Sequence, residues 1–170
     1  MGKLHGFQEQ IAAGSLGETL LDTLFGQWWD IEPVTMGGQR RGLDRVFTRG
    51  DESLDVEYKT DTQGAKTGNV FLETVSSDRG GKPGWVYSTE ADALAYYLHA
   101  DGGGRGLVFS PSELRRAVHG WVRRFEVKTA TNPGYHSYGV LVPVKLAAAL
   151  ADGTFDLAEG EATGLLGPSR

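Results

Sequence analysis

Between Ser53 and Asp61 the chain alternates strictly: Leu54, Val56 and Tyr58 are apolar, while Asp55, Glu57 and Lys59 are charged. A period of two fits a β-strand, whose successive side chains point to opposite faces, and does not fit an amphipathic helix. One face of this strand is expected to lie on a core and the other to carry the charges. The turn-forming run Arg49-Gly50-Asp51-Glu52 stands before it, so residues 42–49 and 53–61 read as a hairpin.

The rest of the chain is read around that hairpin. Upstream, Leu16, Leu20, Leu21, Leu24, Phe25 and Trp28 recur at helical spacings, which predicts an amphipathic helix over residues 7–28. Ser15-Leu16-Gly17-Glu18 matches a capping box, so the firm part of this helix is expected to start at Ser15, after a looser segment. Residues 30–36 read as extended, with a turn at Gly37-Gly38. Downstream come a polar loop from Thr62 to Gly68, a strand from Asn69 to Val75 and a mobile loop from Ser76 to Gly84. Ser88-Thr89 suits the cap of a helical turn over Glu90 to Ala93, and residues 94–99 and 106–109 read as a second hairpin. Ser110-Pro111 opens a helix to Val122, with proline in its favoured first position. Strands near 123–129 and 138–144 and a short alanine-rich helix follow. Residues 1–152 are expected to form one domain, and 153–170 a frayed, acidic, Gly-rich tail. This order predicts an α/β or α+β sheet with helices against it.

Composition narrows the chemistry. A chain of 170 residues, 39% hydrophobic, is long enough to bury a core without staples. It has no cysteine, which excludes disulfides, thiolate metal sites and a cysteine nucleophile, and suits a reducing compartment. The longest apolar run, Leu146 to Ala151, is far shorter than the ~20 residues of a membrane span. Residues 1–20 show no signal-peptide core, so a soluble cytoplasmic protein with no membrane partner is expected.

The net charge of −5 argues against a nucleic-acid partner until its distribution is considered. The last twenty residues hold Asp152, Asp156, Glu159 and Glu161 against Arg170 alone. Elsewhere the bases cluster, as Arg40, Arg41, Arg45 and Arg49, then as Arg115, Arg116, Arg123, Arg124 and Lys128. Clustered bases beside clustered acids suggest a phosphate-facing surface around a metal site; a solvated charged face is the plain alternative.

Familiar sites are absent. Gly81-Lys82-Pro83 lacks the hydroxyl residue and upstream spacing of a phosphate-binding loop, and Gly102-Gly103-Gly104 lacks a dinucleotide fingerprint. Ala13-Gly14-Ser15-Leu16-Gly17 misses the nucleophile elbow at its first residue, and His5, His99, His119 and His136 have no paired ligand spacing.

One constellation remains. The hairpin brings Asp44 beside Glu57, and two adjacent carboxylates repel unless a cation lies between them. Hard oxygen ligands suit Mg²⁺, with Mn²⁺ as a substitute. Lys59, two residues past Glu57, points to the same side. Such a site suits phosphodiester hydrolysis, in which the cation activates water and positive charge stabilises the transition state. The plain alternative is a solvated hairpin face with cross-strand ion pairs.

A helix with Glu18, then Asp44, then Glu57-Tyr58-Lys59 on a hairpin and a further strand, resembles the PD-(D/E)XK nuclease superfamily over residues 14–75. The resemblance implies a restriction-endonuclease-like mixed central sheet with flanking helices, in the α/β class. It implies Asp44 and Glu57 as metal ligands, the Tyr58 carbonyl as another, and Lys59 positioning the attacking water. Glu18 matches the glutamate that often joins the metal shell; as the fourth residue of the capping box it is equally a cap. Leu43 stands where the family has proline. Because Lys59 lies between carboxylates, it is expected to act as an ammonium rather than as a neutral base.

Within the superfamily, the Glu-bearing helix leading into the hairpin and the Arg40-Arg41 pair are similar to archaeal-type Holliday junction resolvases and their phage relatives. That similarity implies branched DNA as partner, a homodimer, and Arg40, Arg41, Arg45, Arg115, Arg116, Arg123 and Arg124 as tracks for DNA. Thr19, where a basic residue commonly follows the glutamate, and the acidic balance depart from it. A different phage-type endonuclease, a repair exonuclease and a non-catalytic DNA-binding protein are the alternatives, and the intact Asp44, Glu57 and Lys59 set speaks against the last. Glu73 reads as an exposed strand residue, and Trp28, Trp29, Trp85 and Trp121 as core or interface aromatics.

Overall fold

The computed structural model describes residues 2–158, with side chains from residue 12 onward. In chain order the elements are helix α1 (Gly2–Phe25), strand β1 (Asp30–Pro33), turn α2 (Met36–Gln39), β2 (Arg45–Arg49) and β3 (Glu52–Asp61). Turn α3 (Gly64–Thr67), β4 (Asn69–Ser77), β5 (Lys82–Pro83), turn α4 (Trp85–Ser88), β6 (Ala93–Ala100) and β7 (Gly103–Phe109) follow. Helix α5 (Pro111–Trp121), β8 (Val127–Asn132), β9 (Tyr135–Pro143), α6 (Val144–Leu150) and β10 (Gly153–Ala158) complete them.

The strands form two sheets. One has six strands in the order β1-β2-β3-β6-β7-β10, and the other four in the order β5-β4-β9-β8. The six-stranded sheet is mixed, because β3 and β6 run parallel while its other pairs are antiparallel. A parallel pair needs a long crossover. Here the chain between Asp61 and Ala93 builds β4 and β5 of the second sheet before returning. The protein is therefore a mixed α/β fold with flanking helices.

The alternation of β3 decides what each face carries. Val56 and Tyr58 pack with Leu21, Leu24 and Phe25 of α1 and with Phe47, Tyr97 and Phe155. Glu57, Lys59 and Asp61 lie in register with Leu94, Tyr96 and Leu98 of β6. Those three β6 side chains face a second core with Val70, Leu72, Val140 and Val142 of the other sheet and Leu114 and Val118 of α5. β6 is thus apolar on both faces, as suits an interior strand. Helix α1 approaches β3 closely at Gly17, where any Cβ would strike the side chain of Thr60.

Several expectations are corrected. Helix α1 runs through Ser15 without a start there, and the Ser15 carbonyl instead accepts the Thr19 hydroxyl at 3.0 Å. The capping-box reading of Glu18 fails because the helix continues for turns on its N-terminal side. The helical turn after the Ser76–Gly84 loop is Trp85–Ser88, not 90–93, and that loop itself contains β5. The boundary at 152 falls one strand too early. β10 pairs along β7 and buries Phe155 and Leu157, so the domain includes at least residue 158. The rest of the expected tail, residues 159–170, lies outside the described residues. No helix among the described residues is long and apolar enough to cross a membrane.

Candidate active site

β2 pairs with β3 from Arg49↔Glu52 to Arg45↔Val56. At Asp44 the regular ladder ends. The Asp44 N–H still donates to the Val56 carbonyl at 2.9 Å, but the N–H of Tyr58 donates to the Asp44 carboxylate at 2.8 Å. That N–H belongs to the peptide joining Glu57 to Tyr58. The Asp44 carboxylate is therefore seated against the backbone of the Glu57-Tyr58-Lys59 run.

Glu57 is only 2% exposed, although it is charged. Its Oε1 lies 2.5 Å from Lys59 Nζ, and its Oε2 has no hydrogen-bond partner. A buried carboxylate oxygen without a donor is costly, and such an orphan needs an explanation. Lys59 is about one-third exposed, so its ammonium reaches from Glu57 toward solvent.

Glu73, on β4 of the second sheet, belongs to the same neighbourhood. It is half-buried rather than exposed. A bulge in the β4–β9 ladder past Glu73 and the return through Gly84 bring the Trp85 N–H to its carboxylate. Burial raises the Glu73 carboxyl above its ordinary range, and the negative charge of Glu57 adds to this. The Trp85 N–H and the positive charge of Lys59 oppose it.

Behind this group, on the helix side, lies a second cluster. Arg45 Nε donates to Asp22 Oδ1 at 3.0 Å, and Nη2 donates to Glu18 Oε2 at 2.9 Å. Its Nη1 donates to the Asp44 carbonyl at 3.0 Å, and the Tyr58 hydroxyl donates to Asp22 at 3.1 Å. Burial works to lower the Arg45 pKa, and the bonds and charges of Asp22 and Glu18 outweigh it, so the net shift is upward. Burial and Asp22 push the Tyr58 phenol far up. Asp22 escaped the sequence reading. The available signal was its spacing from Glu18, since two acids four residues apart share one helix face and call for a cation between them.

The expected shell of Glu18, Asp44 and Glu57 is not assembled. Glu18 is engaged by Arg45, and among the described residues no three His, Cys, Asp or Glu side chains gather as a metal-binding group. The donors that suit a hard divalent cation are the Glu57 orphan oxygen and the Asp44 carboxylate. Tyr58 sits in mid-sheet, in register with Ala95.

The basic residues divide. Arg45 is committed inward, as described. Arg115 is also turned in, donating to the carbonyls of Val86 and Thr89, so it braces the segment after α4. Arg41 pairs with Glu90 at 3.5 Å and Arg116 with Glu113 at 2.6 Å, both at the surface. Arg40, Arg123 and Arg124 are exposed, Arg124 with its guanidinium 5.2 Å from the Phe125 ring.

Neither a protein-family model nor a curated protein matches the chain. Among solved structures it is similar to the bacterial homing endonuclease I-Ssp6803I, at 18% sequence identity and a TM-score of 0.46. That match covers 62% of this chain and 71% of the other.

Proposed function

We propose that this protein hydrolyses phosphodiester bonds in DNA with a divalent cation, Mg²⁺ or Mn²⁺, at Asp44 and Glu57. The observation that carries the reading is Glu57: a buried carboxylate with one oxygen on Lys59 and the other without a donor. A merely structural ion pair would satisfy both oxygens. An oxygen left open next to an ammonium, on the strand against which the Asp44 carboxylate is seated, suits a site completed by cation and substrate.

The chain's own groups have distinct tasks. Asp44 and Glu57 would hold the cation, with the Tyr58 carbonyl as a further oxygen. When bound, such a cation neutralises phosphate charge and acidifies water. The Tyr58 N–H fixes the rotamer of Asp44, and Arg45 and Asp22 fix Tyr58 and the Asp44 carbonyl from behind. Lys59, held beside Glu57, would offer its ammonium to the water and to the charge growing on the phosphoryl oxygens.

On substrate, the resemblance to junction resolvases supports branched DNA, cut by a two-fold dimer that places two identical sites across its axis. Exposed Arg40, Arg41, Arg116, Arg123 and Arg124 would face the arms. The test is a cleavage assay with Mg²⁺ on a four-way junction, a linear duplex and single-stranded DNA of equal length. Paired, symmetry-related nicks in the junction support resolution. Cleavage unchanged in excess EDTA would remove the metal-dependent reading, and indifference to the junction would remove the resolvase reading alone.

A further inference from the structure

Beside Lys59 a cleft of about 630 Å³ opens between the two sheets. Lys59, Asp61, Phe71, Trp85, Tyr96 and Lys128 are among the residues that line it. Its volume falls within the roughly 300–1,000 Å³ usual for small-ligand sites, which accommodates a nucleotide and is far too small for a duplex.

The lining combines cations with aromatic rings. Lys59, the same ammonium that touches Glu57 at 2.5 Å, is part of it. Lys128, on strand β8 of the other sheet, is exposed and adds a second cation, held only by a loose surface pairing with Glu126 at 3.8 Å. Asp61 does not oppose them freely. One of its oxygens accepts the N–H groups of Gln63 and Gly64 at 2.8 Å, and the other accepts the Tyr96 hydroxyl at 2.6 Å. Tyr96 in turn accepts the Phe71 N–H at 3.1 Å, so this acid is absorbed into the fold. The aromatic part remains available. Trp85 and Phe71 are only partly buried, and the Trp85 ring is backed by buried Tyr96 at a centroid distance of 6.0 Å.

We propose that this cleft receives an unpaired nucleotide of the substrate strand, with its base on the Trp85 and Phe71 side and its phosphate toward Lys59 and Lys128. The inference rests on the phosphodiesterase reading above and extends it, because Lys59 belongs both to the reacting site and to the cleft. A base held in this way sits next to the bond to be cut. A fully paired helix cannot place a base there without opening. The substrate class that follows is DNA carrying unpaired nucleotides at the cleavage point, such as a flap, a gap or an opened branch. Aromatic stacking supplies affinity without sequence preference, since every base offers a π-face.

The test uses the full chain in EDTA, with a labelled eight-nucleotide thymidine oligomer and a labelled blunt duplex as separate probes, read by fluorescence anisotropy. Trp85→Ala removes the stacking surface. Thr129→Glu, at an exposed cleft position, adds a repelling charge without disturbing the core. Trp85→Ala is expected to bind the oligomer about tenfold more weakly, the order of magnitude that one lost stacking partner produces, and Thr129→Glu to weaken it through the added negative charge. Duplex binding should move by less than twofold. Melting curves show whether Trp85→Ala has folded; if it has not, Thr129→Glu decides. Unchanged oligomer binding in Thr129→Glu, or equal losses for oligomer and duplex, overturns the proposal. A parallel assay with Mg²⁺ separates the two readings. Cleavage of a blunt duplex as fast as a flapped one overturns the cleft inference and leaves the hydrolase standing. No cleavage of any substrate overturns the hydrolase, while the binding arm still decides whether the cleft takes an unpaired strand.

Discussion

The carboxylate of Asp44 accepts the backbone N–H of Tyr58 at 2.8 Å. With the Asp44 N–H on the Val56 carbonyl at 2.9 Å, that bond locks an acid just before β2 onto the strand that carries Glu57 and Lys59. The same Tyr58 reaches Asp22 with its hydroxyl on the opposite face of the sheet. Backbone and side chain of a single residue thus couple the face of the proposed site to the helix face, and several outcomes depend on that coupling.

Glu57→Gln should lower cleavage by ~10²–10³ or more, as loss of a charge stabiliser does. Stability should stay level or rise, because the substitution removes a buried charge with an unsatisfied oxygen. Asp44→Ala and Lys59→Ala should lose activity to a similar degree. Single-turnover cleavage and melting temperature, measured on the same preparations, check both halves. Wild-type rates in all three variants would place the chemistry elsewhere.

Arg45→Ala should destabilise the fold by about 1–3 kcal/mol. It leaves Glu18 and Asp22 facing each other without a cation, and both acids are partly solvated, which moderates the loss. Arg45→Lys should recover little, since a lysine cannot reproduce the fork that spans Asp22, Glu18 and the Asp44 carbonyl. Chemical denaturation of the two variants beside wild type measures this directly.

Glu18→Gln should leave cleavage within about twofold and lower stability by about 0.5 kcal/mol, the scale of a partly exposed ion pair. Its amide oxygen can still accept from Arg45. A hundredfold fall in rate at constant stability would instead bring Glu18 to the cation.

Glu73 makes a pH-dependent contribution of calculable sign. Its carboxyl is raised by burial, so the folded protein binds this proton more tightly than the unfolded chain does. Stability is therefore lost as pH rises from the unfolded carboxylate range through the folded one, and the loss is complete above it. Glu73→Gln should melt higher than wild type at pH 7, and the two curves should converge below about pH 4, where an ordinary carboxyl is protonated in both states. A Gln variant no more stable than wild type at pH 7 would contradict the desolvation argument.

The hairpin was readable because its period-two alternation separates Val56 and Tyr58 from Glu57 and Lys59 whatever surrounds them. Helix α5 was readable at Ser110-Pro111, where proline sits at a helix start. Elsewhere local chemistry and long-range packing disagree. Ser15-x-x-Glu18 resembles a helix start, yet α1 passes through it and Glu18 finds Arg45, 27 residues away in sequence. Gly153 to Ala158 resembles a loose tail, yet an edge strand needs only alternate burial, which Phe155 and Leu157 supply. The separation of the strands into two sheets, and hence the cleft beside Lys59, has no short-range signature. It follows from β4 pairing with β9, more than sixty residues onward.

The parallel union of β3 with β6 also sets an order of events in time. The strand bearing Glu57 and Lys59 acquires its inner neighbour only after the chain has left for the second sheet and returned at Ala93. Contacts of such long sequence separation form late, because chain closure must come before they can stabilise anything. A ribosome-bound chain that has emerged only as far as the β2–β3 hairpin carries Asp44, Glu57 and Lys59, the three side chains of the proposed site, but lacks the strand that holds them in place. Hydrolytic competence should therefore appear in one late step of synthesis, with no partly active fragment before it.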